Sequence, residues 1–102
     1  MAISDVRLKN NYYELFDSNG KMVNEISSSR VGEFLGFGLD FIIFLKDNYY
    51  STYDENFKRI EEISSSRVGH FKNAASTTII FIKDNYLVTY DKYFKKISER
   101  RA

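Results

Sequence analysis

The sequence predicts an all-β protein made of antiparallel repeats of about four short strands each, and three observations carry that expectation. The heptad Ile26-Ser27-Ser28-Ser29-Arg30-Val31-Gly32 returns unchanged as Ile63-Ser64-Ser65-Ser66-Arg67-Val68-Gly69, 37 residues later, and a fixed period of this length marks a repeated supersecondary unit. Apolar runs of β-branched and aromatic residues recur at the same spacing, over residues 41–45 and 79–82, each bounded by polar residues; such runs read as strands buried on both faces. Proline is absent, so nothing in the chain removes a donor from a sheet ladder.

Sliding the chain by 37 residues aligns units 6–42, 43–79 and 80–102, the last cut short, within one repeat domain. The first pair shares 18 of 37 positions and the second 13 of 23. After its apolar strand each unit has a polar pair, Asn10-Asn11, Asp47-Asn48 or Asp84-Asn85. These side chains tolerate positive φ, so a tight two-residue hairpin is expected. The strands leaving the hairpins, 12–17, 49–54 and 86–91, each end on an aspartate that starts a second turn. Asp17, Asp54 and Asp91 are expected there to accept backbone N–H groups.

The segments 21–28 and 58–65 are then third strands. Phe57, Ile60 and Ile63 follow a spacing of three, which is helical, and a helix capped by Asp54 is the alternative. Strand is preferred because Gly20 stands where the next unit has Phe57 and because a triple serine makes a poor helix interior. A bulge near Glu61 and Glu62 would bring both isoleucines to one face. Residues 35–40 and 72–78 differ most between units and are expected to be loops.

The run Phe16-Asp17-Ser18-Asn19-Gly20-Lys21-Met22-Val23, with its counterpart Tyr53-Asp54-Glu55-Asn56-Phe57-Lys58-Arg59-Ile60, resembles the hairpin of bacterial β-propeller blades, and a unit of four short strands in 37 residues is similar to one compact blade. The resemblance implies a propeller-blade-like sheet and no catalytic residue, because such folds host many functions. Propellers close with four to eight blades. Fewer than three units leave edges open, so completion by a second copy is expected, a dimer first. A β-trefoil-like fold or a small barrel is the competing closed form within one chain.

At 102 residues, with 43% hydrophobic and 17% aromatic side chains, the chain is too apolar to be disordered. No cysteine and a single histidine, His70, leave no thiolate or multi-histidine metal site. The first residues contain no basic segment leading into an apolar run, so neither signal peptide nor membrane span is expected, and cytoplasm is the default compartment. A net charge of +1 argues against a nucleic-acid surface. Its distribution is uneven: residues 1–42 carry four basic and six acidic side chains, residues 80–102 six and three. Opposite charge at the two ends favours head-to-tail encounter.

Three groups of residues could carry function. Arg30 and Arg67 stand beside serine runs centred on Ser28 and Ser65, a combination suited to phosphate, sulfate or carboxylate. Tyrosines, among them Tyr13 and Tyr50, could stack on sugar rings, although consecutive tyrosines point to opposite sides of a strand and about half belong to the core. The recurrent aspartates are explained by turns, and no metal or other cofactor is implied. No nucleophile with its base and no glycine-rich phosphate loop is recognisable. The expected function is therefore a non-enzymatic interaction or structural module that self-associates through its repeats, with a carbohydrate- or anion-binding protein as the alternative.

Overall fold

The computed structural model describes residues 3–102, and they form three separate antiparallel sheets. Sheet 1 contains β1 (Asp5–Lys9), β2 (Tyr12–Phe16) and β3 (Met22–Ser27). Sheet 2 contains β4 (Glu33–Phe37), β5 (Ile42–Lys46), β6 (Tyr49–Tyr53) and β7 (Arg59–Ser64). Sheet 3 contains β8 (His70–Ala75), β9 (Thr78–Lys83), β10 (Tyr86–Tyr90) and β11 (Lys96–Arg101). The all-β class and the antiparallel repeats are as the sequence predicts, and no closed barrel forms among the described residues. No helix among them is long and apolar enough to cross a membrane.

The phase of the repeat differs from the sequence expectation. Residues 33–37 fall in the first 37-residue window, yet β4 pairs with β5 of the second. Among the described residues the sheet with three strands is therefore the first, and the third has four. The cause is the heptad: its last residues form a helical turn, α1 (Ser28–Val31) or α2 (Ser65–Val68), which carries the chain from the outer strand of one sheet to the first strand of the next. A second correction follows. In the divergent stretches 35–40 and 72–78, residues 35–37 belong to β4, 72–75 to β8 and 78 to β9, and only 38–40 and 76–77 lie outside strands.

Local chemistry explains the turns. Asn10-Asn11, Asp47-Asn48 and Asp84-Asn85 all have positive φ at both positions, the requirement of a type I′ hairpin, whose twist matches that of the strands. Asp54 Oδ1 accepts the N–H groups of Asn56 and Lys58 at 2.9 Å, and Asp17 and Asp91 do the same in their turns. The segments 22–27 and 59–64 are strands, each with a bulge. The extra residue on β7 is Ile60, one position before the expected pair, and it places Ile60 and Ile63 against the same core cluster.

Sheets stack face to face. From β5, Ile42 and Phe44 point into a core shared with Tyr13, Leu15 and Ile26 of sheet 1. Ile43 points the other way, into a core shared with Ile79 and Phe81 of sheet 3. Each turn before a third strand also reaches back to the preceding sheet. Phe57 has φ 57°, a left-handed conformation costing about 1–2 kcal/mol, but its ring is buried in the first core, which returns about 1.5–3 kcal/mol. Phe94 does the same in the second core. Sheet 1 has no preceding sheet among the described residues, and Gly20 occupies the matching position with nothing near it.

The first strands of sheets 2 and 3, β4 and β8, meet where side chains are small. A Cβ on Gly36 would press on the Phe71 ring at 3.3 Å, and one on Gly38 would overlap the Phe41 ring and Ser76 O, so β4 and the turn after it stay small where β8 and its hairpin cross them. At the junctions, Gly32 and Gly69 have φ 91° and would carry a Cβ within 2.4 Å and 2.3 Å of the Leu45 and Ile82 carbonyl oxygens. We predict that Gly69→Ala lowers unfolding free energy by at least about 2 kcal/mol, whereas Gly20→Ala costs less than half as much; denaturant titration of both variants checks this, and equal losses would refute the role given to the junction.

Candidate functional site

The junction heptad is clamped from four sides. Ser27 Oγ caps α1 by accepting the Ser29 N–H at 3.3 Å, and Ser64 caps α2 in the same way. Val31 and Val68 are buried. Lys46 Nζ donates to the carbonyls of Ser29 and Arg30, and Lys83 Nζ to those of Ser66 and Arg67. Tyr13 donates its hydroxyl proton to Gly32 O at 2.9 Å and accepts the Phe34 N–H at 3.0 Å; Tyr50 bridges Gly69 and Phe71 identically. The backbone bearing each arginine is thus fixed, while the arginine side chain itself is exposed and makes no hydrogen bond or ion pair.

Each arginine opens onto a shallow groove between its junction turn and the sheet that follows. Arg30 lines one of about 260 Å³ with Lys46, Asp47, Tyr49, Tyr53 and the Arg59–Glu62 pair. Arg67 lines another of about 280 Å³ with Lys83, Asp84, Tyr86, Tyr90 and the Lys96–Glu99 pair. These volumes lie just under the range of sites that enclose whole drug-sized molecules, so each groove fits one small group or a segment of something longer.

The six sequence-predicted residues do not converge. Tyr13 and Tyr50 are 7% and 4% exposed, with their hydroxyls bound to the junctions, so neither ring presents a face for stacking. Ser65 lies in a separate depression with Tyr50 and His70, away from the Arg67 groove. Ser28 is half-buried, and its N–H donates to Asn11 O. Arg30 and Arg67 alone line the grooves. The partners that sequence reasoning missed are Arg59, Lys96 and the two acids paired with them. A signal existed: Tyr49 and Tyr53 stand four apart on one face of β6, as Tyr86 and Tyr90 do on β10, and the second tyrosine of each pair is followed six positions on by a basic residue, Arg59 or Lys96.

No metal-binding group of three or more His, Cys, Asp or Glu side chains occurs among the described residues. No protein family, curated protein or solved structure matches the chain.

Burial pushes the Tyr50 hydroxyl above its ordinary value, opposed by the Phe71 N–H. A hydrogen bond to Asp40 raises Lys92 despite some burial. Both shifts are upward, so the folded state holds these protons more tightly than the unfolded chain does. Their stabilisation is complete below the free values of 10.0 and 10.5 and is lost as pH rises through the folded values. We predict that unfolding free energy falls across this alkaline range, and that Tyr50→Phe both flattens the fall and costs about 2 kcal/mol at neutral pH by leaving Gly69 O and the Phe71 N–H unpaired. A Tyr50→Phe variant as stable as the parent at neutral pH would contradict it.

Proposed function

We propose that the chain is a non-enzymatic interaction module that self-associates, and that the surface it uses is the open face of sheet 3. The observation that carries this reading is a comparison of equivalent faces. Sheet 2 buries the face bearing Ile43, Leu45, Tyr50, Ile60 and Ile63 against sheet 3. On sheet 3 the matching positions hold Ile80, Ile82, Leu87, Ile97 and Arg100, and no further sheet covers them among the described residues. Ile97 is 57% exposed. A repeat stack needs a polar terminal face to stay monomeric, and a clustered aliphatic face marks an interaction surface.

The other end of the stack is capped. Where sheets 2 and 3 carry Ile42 and Phe44 or Ile79 and Phe81, sheet 1 carries Asp5 and Arg7, paired at 2.9 Å and exposed. Arg7 holds the Asp5 carboxyl below its usual range and lies 4.7 Å over the Phe16 ring. Closing a ring head to tail with a second copy would bury that ion pair against aliphatic side chains, at a desolvation cost. Two copies meeting sheet 3 to sheet 3 bury Ile80, Ile82 and Leu87 with the uncharged polar side chains Asn73, Thr89 and Ser98 that share their cross-strand rows, leave Lys72 and Arg100 at the margins, and bury no ion pair; this two-fold arrangement is the dimer we favour.

The expected solution mass is twice 12.0 kDa at high micromolar concentration, falling to one chain for Ile97→Glu. Because like charges flank the face, added salt should strengthen the dimer; head-to-tail steering by opposite charges would instead weaken with salt. A parent chain that stays monomeric in sedimentation equilibrium would end the proposal.

A further inference from the structure

The two arginine grooves are built alike, lie at successive sheet junctions and face the same side of the stack, since each is formed by the same elements one repeat apart. Their internal charges are largely balanced. Arg59 is paired with Glu62 at 3.2 Å and Lys96 with Glu99 at 2.7 Å, while Lys46 and Lys83 hold junction carbonyls. What remains in each is one guanidinium on a fixed backbone, with the turn aspartate at the groove end. An exposed tyrosine stands beside it, Tyr49 at 44% or Tyr86 at 42%. A second tyrosine is held edge-on against a core phenylalanine, Tyr53 on Phe44 and Tyr90 on Phe81, both at 5.6 Å.

We infer that these grooves are a paired site for oxyanions carried on an extended chain, carboxylates of an acidic polypeptide being the occupant the geometry favours. A guanidinium offers two parallel N–H donors to a carboxylate. The ammonium of Lys46 or Lys83 adds positive potential from the groove wall, and the tyrosines supply a flat surface for the aliphatic part of a glutamate. The turn aspartate sets the limit. It lowers the net charge of each groove to +1, so a single oxyanion is held weakly, and useful affinity comes from occupying both grooves with one chain. Sheet 1 has Glu14 and Met22 where sheet 2 has Ser51 and Arg59, and no junction arginine precedes it among the described residues, so the site count is two.

The probes are synthetic glutamate oligomers of three and of twelve residues, with a neutral maltooligosaccharide as the uncharged control, titrated calorimetrically into the full chain at low salt. The long oligomer is expected to bind at least about tenfold more tightly than the short one through effective concentration. Arg67→Ala should bring the long oligomer down to the affinity of the short one, and Arg30→Ala with Arg67→Ala should abolish both; Lys21→Ala, exposed in the second turn of sheet 1 and away from both grooves and the open face of sheet 3, should change neither. Arg30→Lys with Arg67→Lys keeps the charge and loses the bidentate fork, and should recover only part of the binding. Equal affinity for both lengths, binding that survives the double alanine variant, or preference for the neutral sugar would each overturn the inference. Solution mass separates this result from the dimer proposal, because neither arginine lies on the open face of sheet 3.

Discussion

Burial of sheet 2 on both faces holds the stack together. β5 sends Ile42 and Phe44 to one side and Ile43 to the other, all with no exposure, and each set meets a neighbouring sheet whose own strands could not hide their apolar face alone. Rings dominate both contacts: Phe44 lies 5.2 Å from Tyr13, and Phe81 lies 4.8 Å from Tyr50. A fully buried ring contributes about 1.5–3 kcal/mol and tilted pairs add about 0.5–1.5. The few hydrogen bonds between sheets, such as Thr52 Oγ1 to Lys92 O at 2.7 Å, set register rather than supply the driving force. The surface ion pairs are exposed and worth little.

Once stacking is seen as the source of stability, the differences between repeats become readable. Leu35 packs into the second core, while its counterpart Lys72 is exposed where no further sheet lies among the described residues. Gly36 and Gly38 stay small beneath β8, and Asn73 and Ala75 replace them in sheet 3. Tyr50 bridges a junction with its hydroxyl, and Leu87 stands at the matching place of sheet 3, with no junction beside it among the described residues. On the opposite side, Ile42, Phe44 and Phe57 give way to Asp5, Arg7 and Gly20 in sheet 1. Substitution follows the presence or absence of a neighbouring sheet. The open face of sheet 3 is the exception, since Ile80, Ile82, Leu87 and Ile97 keep an apolar character that nothing in the stack uses.

The heptad looks like a functional signature in the sequence because it is the best-matched stretch. Its invariance has a mechanical origin. Ser27 must cap, Val31 must fill the core, and Gly32 must adopt a conformation closed to other residues with a carbonyl 2.4 Å from where a Cβ would sit. Arg30 is the one residue of the seven whose side chain is left exposed without a partner, and the same clamp that fixes the junction aims it at the groove.

The sequence by itself determined the strands on either side of each hairpin and aspartate turn, and those turns, but not β4 and β8, which fall in the divergent stretches. Asn10-Asn11 and its counterparts encode type I′ hairpins through local φ preference, the recurrent aspartates encode their own turns, and the 37-residue period encodes one structure used repeatedly; all these act over a few residues. Tertiary structure decided which strands share a sheet, because the register of β4 depends on a junction turn whose direction comes from Lys46, Tyr13 and the Leu45 carbonyl. It also decided which tyrosine of each consecutive pair is core, since alternation says only that they differ. The groove composition was hidden for the same reason: Arg30 and Arg59 are brought together by the packing of the junction turn over the following sheet, across 29 residues of chain.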